Sequence, residues 1–330
     1  MLGRSILKLL TSPVNQTKYE CKGTGLSRAH PPLVQLDLLD MVAIEKLMRE
    51  FEPNFIIHCA AERRPDIAAQ NPSRTTALNV TSTKILAEEC ERIASAIQGT
   101  GLGTDLDVSM NSSACTMIYI STDYVFDGGI HTGVQPPYSP SSKTHPVNDY
   151  GLSKLAGEKV VREGCHNAKS VIIRVPVLYA TDCDELEESA SLTVANALKT
   201  QKDGSMKVKV DDWSMRFPTL VDDVAAVLQI ILDTDADAVQ HRCVHVSSPE
   251  GCTKYHLVKV MGEILNQDTS HVEADGEPPV GAVRPKDTQL DCTATWEDLG
   301  LLGDTSFEFT SLRDGMAHAL ERFKGIFTNV

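Results

Sequence analysis

Short apolar runs rich in β-branched residues alternate along this chain with longer runs whose apolar positions recur every three to four residues. Such alternation calls for a parallel sheet with helices on both faces, because each helical run buries its one apolar stripe against a sheet. Strands are predicted at Thr17–Lys22, Asn54–Ala60, Thr116–Thr122, Ser170–Tyr179 and Cys243–Ser247. The run MVAIEKLMREF from Met41 has helical spacing, and a long helix is predicted from Pro72 to Ser95. TLVDDVAAVLQIIL from Thr219 and TKYHLVKVMGEIL from Thr253 read as helices separated by a single strand, and SLRDGMAHALERF as the final helix before an apolar tail, Lys324 to Val330. Two stretches lack a period. Gln98 to Ala114, rich in Gly, Ser, Asn and Asp, is expected as a surface loop, and His131 to Asp149 carries four prolines between a strand end and a helix start. Loops at strand C-termini are where α/β sheets place ligands. The alternation weakens after about residue 180, so the expected division is a sheet domain over 1–180 and a smaller lobe over 181–330.

Composition narrows the partners. With 330 residues and 42% hydrophobic content the chain can bury an ordinary core. A net charge of −14 opposes a nucleic-acid or anionic-membrane surface, so a metabolic or protein partner is expected. Nine cysteines without a CxxC pair suggest neither a zinc cluster nor a disulfide framework, and no metal is expected. No apolar run of bilayer-spanning length and no signal-peptide pattern occurs in the sequence, and the expected location is the cytoplasm or the nucleus.

The chemistry concentrates in Tyr150-Gly-Leu-Ser-Lys154 and in the run Ser121-Thr-Asp-Tyr-Val-Phe-Asp-Gly128 before it. Positions four apart share a helix face, so the Lys154 ammonium can lie beside the Tyr150 phenol, lower its pKa and make it a general acid or base. A hydroxyl of Thr122 or Ser121 at the neighbouring strand end can hold a carbonyl oxygen. A surface tyrosine and lysine on an ordinary helix would produce the same letters. A second run, His58-Cys-Ala-Ala-Glu-Arg-Arg-Pro-Asp66, closes a strand; small residues there admit a dinucleotide to the backbone, and an arginine can reach its phosphates.

STDYVFDG followed by YGLSK resembles the extended short-chain dehydrogenases, and in particular their dTDP-4-dehydrorhamnose reductase branch. The resemblance implies a Rossmann-like doubly wound sheet, NADP as cofactor, and ketone reduction by Thr122, Tyr150 and Lys154. HCAAERRPD is similar nearly letter for letter to the regulatory beta subunits of methionine adenosyltransferase. Further matches to them occur at Gln35–Asp40, Arg174–Tyr179, Leu186–Ala190, Arg216–Thr219, Thr253–Tyr255 and Arg284–Cys292. This second resemblance implies a non-catalytic subunit that binds the catalytic subunit of methionine adenosyltransferase and tunes S-adenosylmethionine synthesis. It also implies a C-terminal tail that enters the partner, with Phe323, Ile326 and Phe327 as exposed anchors. Its cofactor contacts fall on Leu26, Ser27, Arg28, Asp37 and Leu38 around the adenine ribose, on Cys59 and Arg63 farther along, and on Leu178 near the nicotinamide, together with Tyr150 and Lys154. Arg28 would pair with a 2′-phosphate. Arg216 and Arg284 read either as exposed residues of ordinary turns or as groups facing an anionic substrate. The alternative function is an NADPH-dependent reductase of a nucleotide-linked keto sugar.

One part of the family pattern is missing. A dinucleotide fold is expected to open with an apolar strand and a glycine-rich turn that cradles the pyrophosphate. The opening Met1-Leu2-Gly3-Arg4-Ser5-Ile6 aligns with the last glycine of that motif and the helix after it, leaving Gly3 as its only remnant and Leu2 and Gly3 as the expected cofactor contacts there, and the glycines at 23 and 25 lead into no helix. A sheet without its first strand and a weakened cofactor site are therefore expected, either from a gene model begun at an internal methionine, the favoured reading, or from a short isoform.

Overall fold

The computed structural model describes residues 1–27, 32–99, 115–199, 207–234, 242–303 and 307–327. Its centre is a parallel four-stranded sheet in the order β3 (Phe55–His58), β4 (Thr116–Thr122), β5 (Lys169–Val175) and β9 (Arg242–His245). All seven residues of β4 are buried, as expected of a parallel strand covered on both faces. Alternate residues serve the two faces. Ile118, Ile120, Val171 and Ile173 belong to a core shared with α1 (Leu2–Leu10), α6 (Val221–Asp233), α7 (Lys254–Leu265) and α8 (Leu312–Glu321). Met117, Tyr119 and Ile172 belong to the opposite core, with α2 (Met41–Phe51), α4 (Ser82–Gly99) and α5 (Asp149–Gly164). The first core contains residues from both sides of position 180, including Leu2, Val171, Leu192 and Met316.

Among the described residues, three further parallel pairs stand apart from this sheet: β1 (Thr24–Gly25) with β2 (Val34–Gln35), β6 (Leu178–Tyr179) with β8 (Thr219–Leu220), and β7 (Val208–Asp211) with β10 (Val272–Asp275). Among the described strands, β3 is an edge of the central sheet and pairs with neither β1 nor β2.

Several elements differ from the sequence expectation, each for a local reason. Residues 17–22 form no strand: backbone bonds from Lys18 and Tyr19 to the Asn15 carbonyl wind a turn there, and both side chains are drawn to Asp233 at the end of α6, Lys18 at 2.6 Å. The strand appears two residues later, as β1. The run 170–179 is cut into β5 and β6 at Pro176, which has no N–H to give a ladder. The helix expected over 72–95 begins with a turn, Pro72–Thr76, passes through one π turn, Ala77–Thr81, and continues as α4 to Gly99. Gln98 and Gly99 are thus helical, and residues 100–114 of the expected loop lie outside the described residues.

The C-terminal anchors are also corrected. Phe323 and Phe327 are 5% and 2% exposed, because they extend the buried stripe Leu312, Met316, Ala319 and Leu320 of α8 into the core; of the three anchors expected, only Ile326 is exposed.

Candidate functional site

At the C-terminal end of β4 the Thr122 hydroxyl accepts the Tyr124 N–H at 3.2 Å and donates to the Asp123 carboxylate at 2.9 Å, fixing a tight turn, Asp123–Val125. Helix α5 starts opposite. Its N-cap Asn148 accepts the Gly151 N–H at 2.9 Å, and the Asn148 amide donates to the Val283 carbonyl at 2.8 Å. Tyr150 therefore lies in the first turn of α5, hydrogen-bonded to Thr122, with the Tyr124 ring edge-on at 5.9 Å. Burial raises the Tyr150 pKa well above its ordinary value; Asp123 and Tyr124 add to the rise, while the Thr122 bond and Arg63 oppose it. The expected lowering by Lys154 is not found.

The reason is the direction of the lysine. The Lys154 ammonium lies 3.9 Å from the centroid of the Tyr119 ring, a cation–π contact, and burial lowers its pKa to about 7 against the opposing pull of Glu158 and Cys59. Tyr119 can pass beneath α5 because residue 157 is glycine: a Cβ there would sit 2.0 Å from the Tyr119 hydroxyl. The same wall holds His58, whose Nε2 is 3.0 Å from the Thr83 hydroxyl and whose pKa burial and Lys154 push down to about 3. It also holds Cys59, whose thiol burial pushes up to about 12.

Of the expected cofactor residues, one group gathers beside this wall. Gly3 is exposed in the first turn of α1, where an added Cβ would lie 3.7 Å from the Cys59 Cβ, and Leu2 is buried next to it. Arg4 donates to the Glu188 carboxylate at 2.8 Å, and Arg63 to the Glu188 carbonyl at 2.7 Å. Leu178 is half-buried, and its carbonyl accepts the Ser189 hydroxyl at 3.3 Å. The second group sits on the β1–β2 unit: exposed Leu26 and Ser27, exposed Asp37 accepting the Leu39 N–H at 2.9 Å, and half-buried Leu38. Arg28 lies outside the described residues. Arg4 and Glu188 were not singled out from sequence, although Glu188 lies inside the Leu186–Ala190 match and Arg4 follows the remnant glycine.

A third set extends outward from Asp123 and Tyr124 through Arg216. Asp123 is 2% exposed and its pKa is raised by burial, although it accepts the Thr288 hydroxyl at 2.5 Å. Arg216 is neither an exposed turn residue nor an open anion receptor: it is buried and donates to the carbonyls of Met215, Pro285 and Lys286 at 2.6, 2.8 and 3.2 Å. Arg284 is committed to Asp66 at 2.5 Å and to the Ala282 carbonyl at 2.7 Å. Burial lowers the pKa of Lys254 nearby, helped by Arg284 and Arg216 and opposed by Asp211 and Asp66.

The parallel sheet with helices on both faces, and Thr122 and Tyr150 at one strand end, places the chain among the doubly wound α/β folds. In fold the chain is similar to a dTDP-4-dehydrorhamnose reductase from Bacillus anthracis in complex with NADP, with a TM-score of 0.70, 21% identity, and 96% of this chain and 94% of that one covered. The family described as RmlD substrate binding domain matches residues 2–99 and 104–323. The methionine adenosyltransferase 2 subunit beta of Xenopus tropicalis is 37% identical over 309 residues, and that of Rattus norvegicus 36%, each alignment covering 93% of this chain and 82% of the relative. The chain belongs to the RmlD substrate binding domain family and, at that identity, to its methionine adenosyltransferase beta-subunit branch. No helix among the described residues is long and apolar enough to cross a membrane.

Proposed function

We propose that this protein is a regulatory, non-catalytic subunit that binds the catalytic subunit of a methionine adenosyltransferase and modulates S-adenosylmethionine synthesis, with NADP as a structural ligand. The similarity to named beta subunits along almost the whole chain carries this reading. The site supports it. A reductase needs a tyrosine that gives up its proton readily, whereas the Tyr150 phenol is held strongly protonated and the Lys154 ammonium rests on Tyr119. Arg216, which lies over the Tyr124 ring, and Arg284 are already bonded to carbonyls and to Asp66, which leaves little of either for an anionic substrate.

The residues present fit a dinucleotide diphosphate. Helix α1 begins at Leu2 without a side-chain cap, small residues line its start at Gly3 and Cys59, and two arginines, Arg4 and Arg63, converge on one carboxylate-bearing residue, Glu188. In this reading Leu2, Gly3, Cys59 and Arg63 hold the diphosphate side, Tyr150, Lys154 and Leu178 the nicotinamide riboside, and Leu26, Ser27, Arg28, Asp37 and Leu38 the adenosine. Bound NADP would supply hydride-transfer capacity; the role assigned to it here is to order the β1–β2 unit against β3, where the first strand of a doubly wound sheet is expected.

Co-purification of the full chain with a recombinant catalytic subunit tests the reading. A stable complex that survives Tyr150→Phe is expected. Absence of a complex, together with NADPH oxidation on a keto-sugar panel that Tyr150→Phe abolishes, would favour the reductase.

A further inference from the structure

Far from the strand ends discussed so far, three cysteines from three elements meet at the N-terminal end of β4. Cys90 lies on α4, Cys115 immediately precedes β4, and Cys165 caps the C-terminus of α5. They are 0%, 0% and 3% exposed, within the core that also holds Ile93, Met117 and Val161. The Cys90 and Cys115 sulfurs are 2.9 Å apart, and Cys165 is a second hydrogen-bonding partner of Cys90. A thiol hydrogen bond is weak and ordinarily long, so a contact this short leaves the two sulfurs less than about 1 Å from covalent range, ~2.04 Å. Nothing in the proposed cofactor site uses these residues: β4 spans seven residues, roughly 20 Å, between Cys115 and the Thr122 turn.

We propose that Cys90 and Cys115 form an oxidation site that closes to an intramolecular disulfide, with Cys165 as the alternative partner of Cys90. Hydrogen peroxide is the oxidant by class. One thiol attacks a peroxide oxygen: an S–O bond forms, the O–O bond breaks, and water leaves with a sulfenic acid on sulfur. The neighbouring thiol then attacks that sulfur, the S–O bond breaks, and a second water leaves. Two thiols and one peroxide give one disulfide and two waters.

Proximity selects the pair, not acidity. The hydrogen bonds to Cys115 and Cys165, and then burial, push the Cys90 thiol far above its ordinary range, so the first step is slow. The second is fast, because the partner sulfur is already in contact, and the sulfenic acid is consumed before it can be oxidised further. The crosslink spans 25 residues and ties α4 to β4, so the oxidised chain should melt at a higher temperature than the reduced one.

The test is peptide mass mapping of the reduced, full-length protein after native exposure to hydrogen peroxide, followed by unfolding and alkylation. The expected product in the natural sequence is a Cys90–Cys115 linked peptide lacking two hydrogens. In Cys115→Ala the link moves to Cys90–Cys165, and in Cys90→Ala no link forms within the trio. The proposal is overturned if Cys90 and Cys115 in the natural sequence stay alkylatable while the half-exposed Cys21 and Cys243 gain oxygen, or if the two acquire oxygens without linking. The natural-sequence map is decisive even where a variant folds poorly.

Discussion

Lys154 and Glu188 show how single side chains set the character of the site. Burial holds the folded Lys154 pKa near about 7, against the unfolded value of 10.5. Between those values the unfolded chain binds the extra proton, so this residue's contribution to stability rises with pH across that window, and its burial penalty is fully present below it. Lys154→Met, which keeps the packing and removes the charge, should therefore be more stable than the natural protein near about pH 6, with the margin shrinking toward about pH 9. Denaturant titrations at several pH values measure this; a margin that grows with pH would contradict the assigned pKa. At Glu188 the argument concerns competition. Its carboxylate takes up Arg4, and its carbonyl takes up Arg63, at the end of α1 where a diphosphate is proposed to sit. Glu188→Gln should then tighten NADP by about tenfold, or ~1.4 kcal/mol, in calorimetry. Unchanged or weaker binding would count against a phosphate site at that place.

Elements were legible from sequence where local pattern decided them. Helix α2 and strand β4 have the boundaries expected, because the Asp40 cap, the helical spacing of Ile44 and Met48, and the unbroken buried run of β4 are all local signals. Residues 17–22 were misread because Asp233, the group that captures Lys18 and Tyr19, lies more than two hundred residues away. The seam between α5 and β5 was equally hidden. Glu158, fully buried, receives both the Nε–H and an Nη2–H of Arg174 at 2.8 Å and the Ser121 hydroxyl at 2.7 Å, so one ion pair holds the helix that carries Tyr150 against the sheet. Glu158→Gln leaves the arginine buried without its counter-charge and should cost about 3–5 kcal/mol in denaturant unfolding. A loss under about 1 kcal/mol would mean that the pair is not structural.

For the whole molecule, the sheet class and the gathering of Thr122 and Tyr150 at a strand end could be read from letters alone. The orientation of Lys154 could not: a four-residue spacing places it one turn from Tyr150, but Tyr119, which draws the ammonium away, enters from a strand 35 residues earlier, through a gap left by Gly157. The arginines of the C-terminal half were ambiguous for the same reason, since only the fold reveals the carbonyls that consume them. Burial that holds Tyr150 protonated, and internal bonds that take up Arg216 and Arg284, fit the regulatory role proposed for this RmlD-type fold. The decisive measurement is the rate of S-adenosylmethionine formation by a purified methionine adenosyltransferase catalytic subunit titrated with this protein, with and without NADP. A saturable change in the methionine dependence at a fixed stoichiometry, preserved in Tyr150→Phe, is the expected result. A rate indifferent to the added chain at every ratio would contradict the regulatory account.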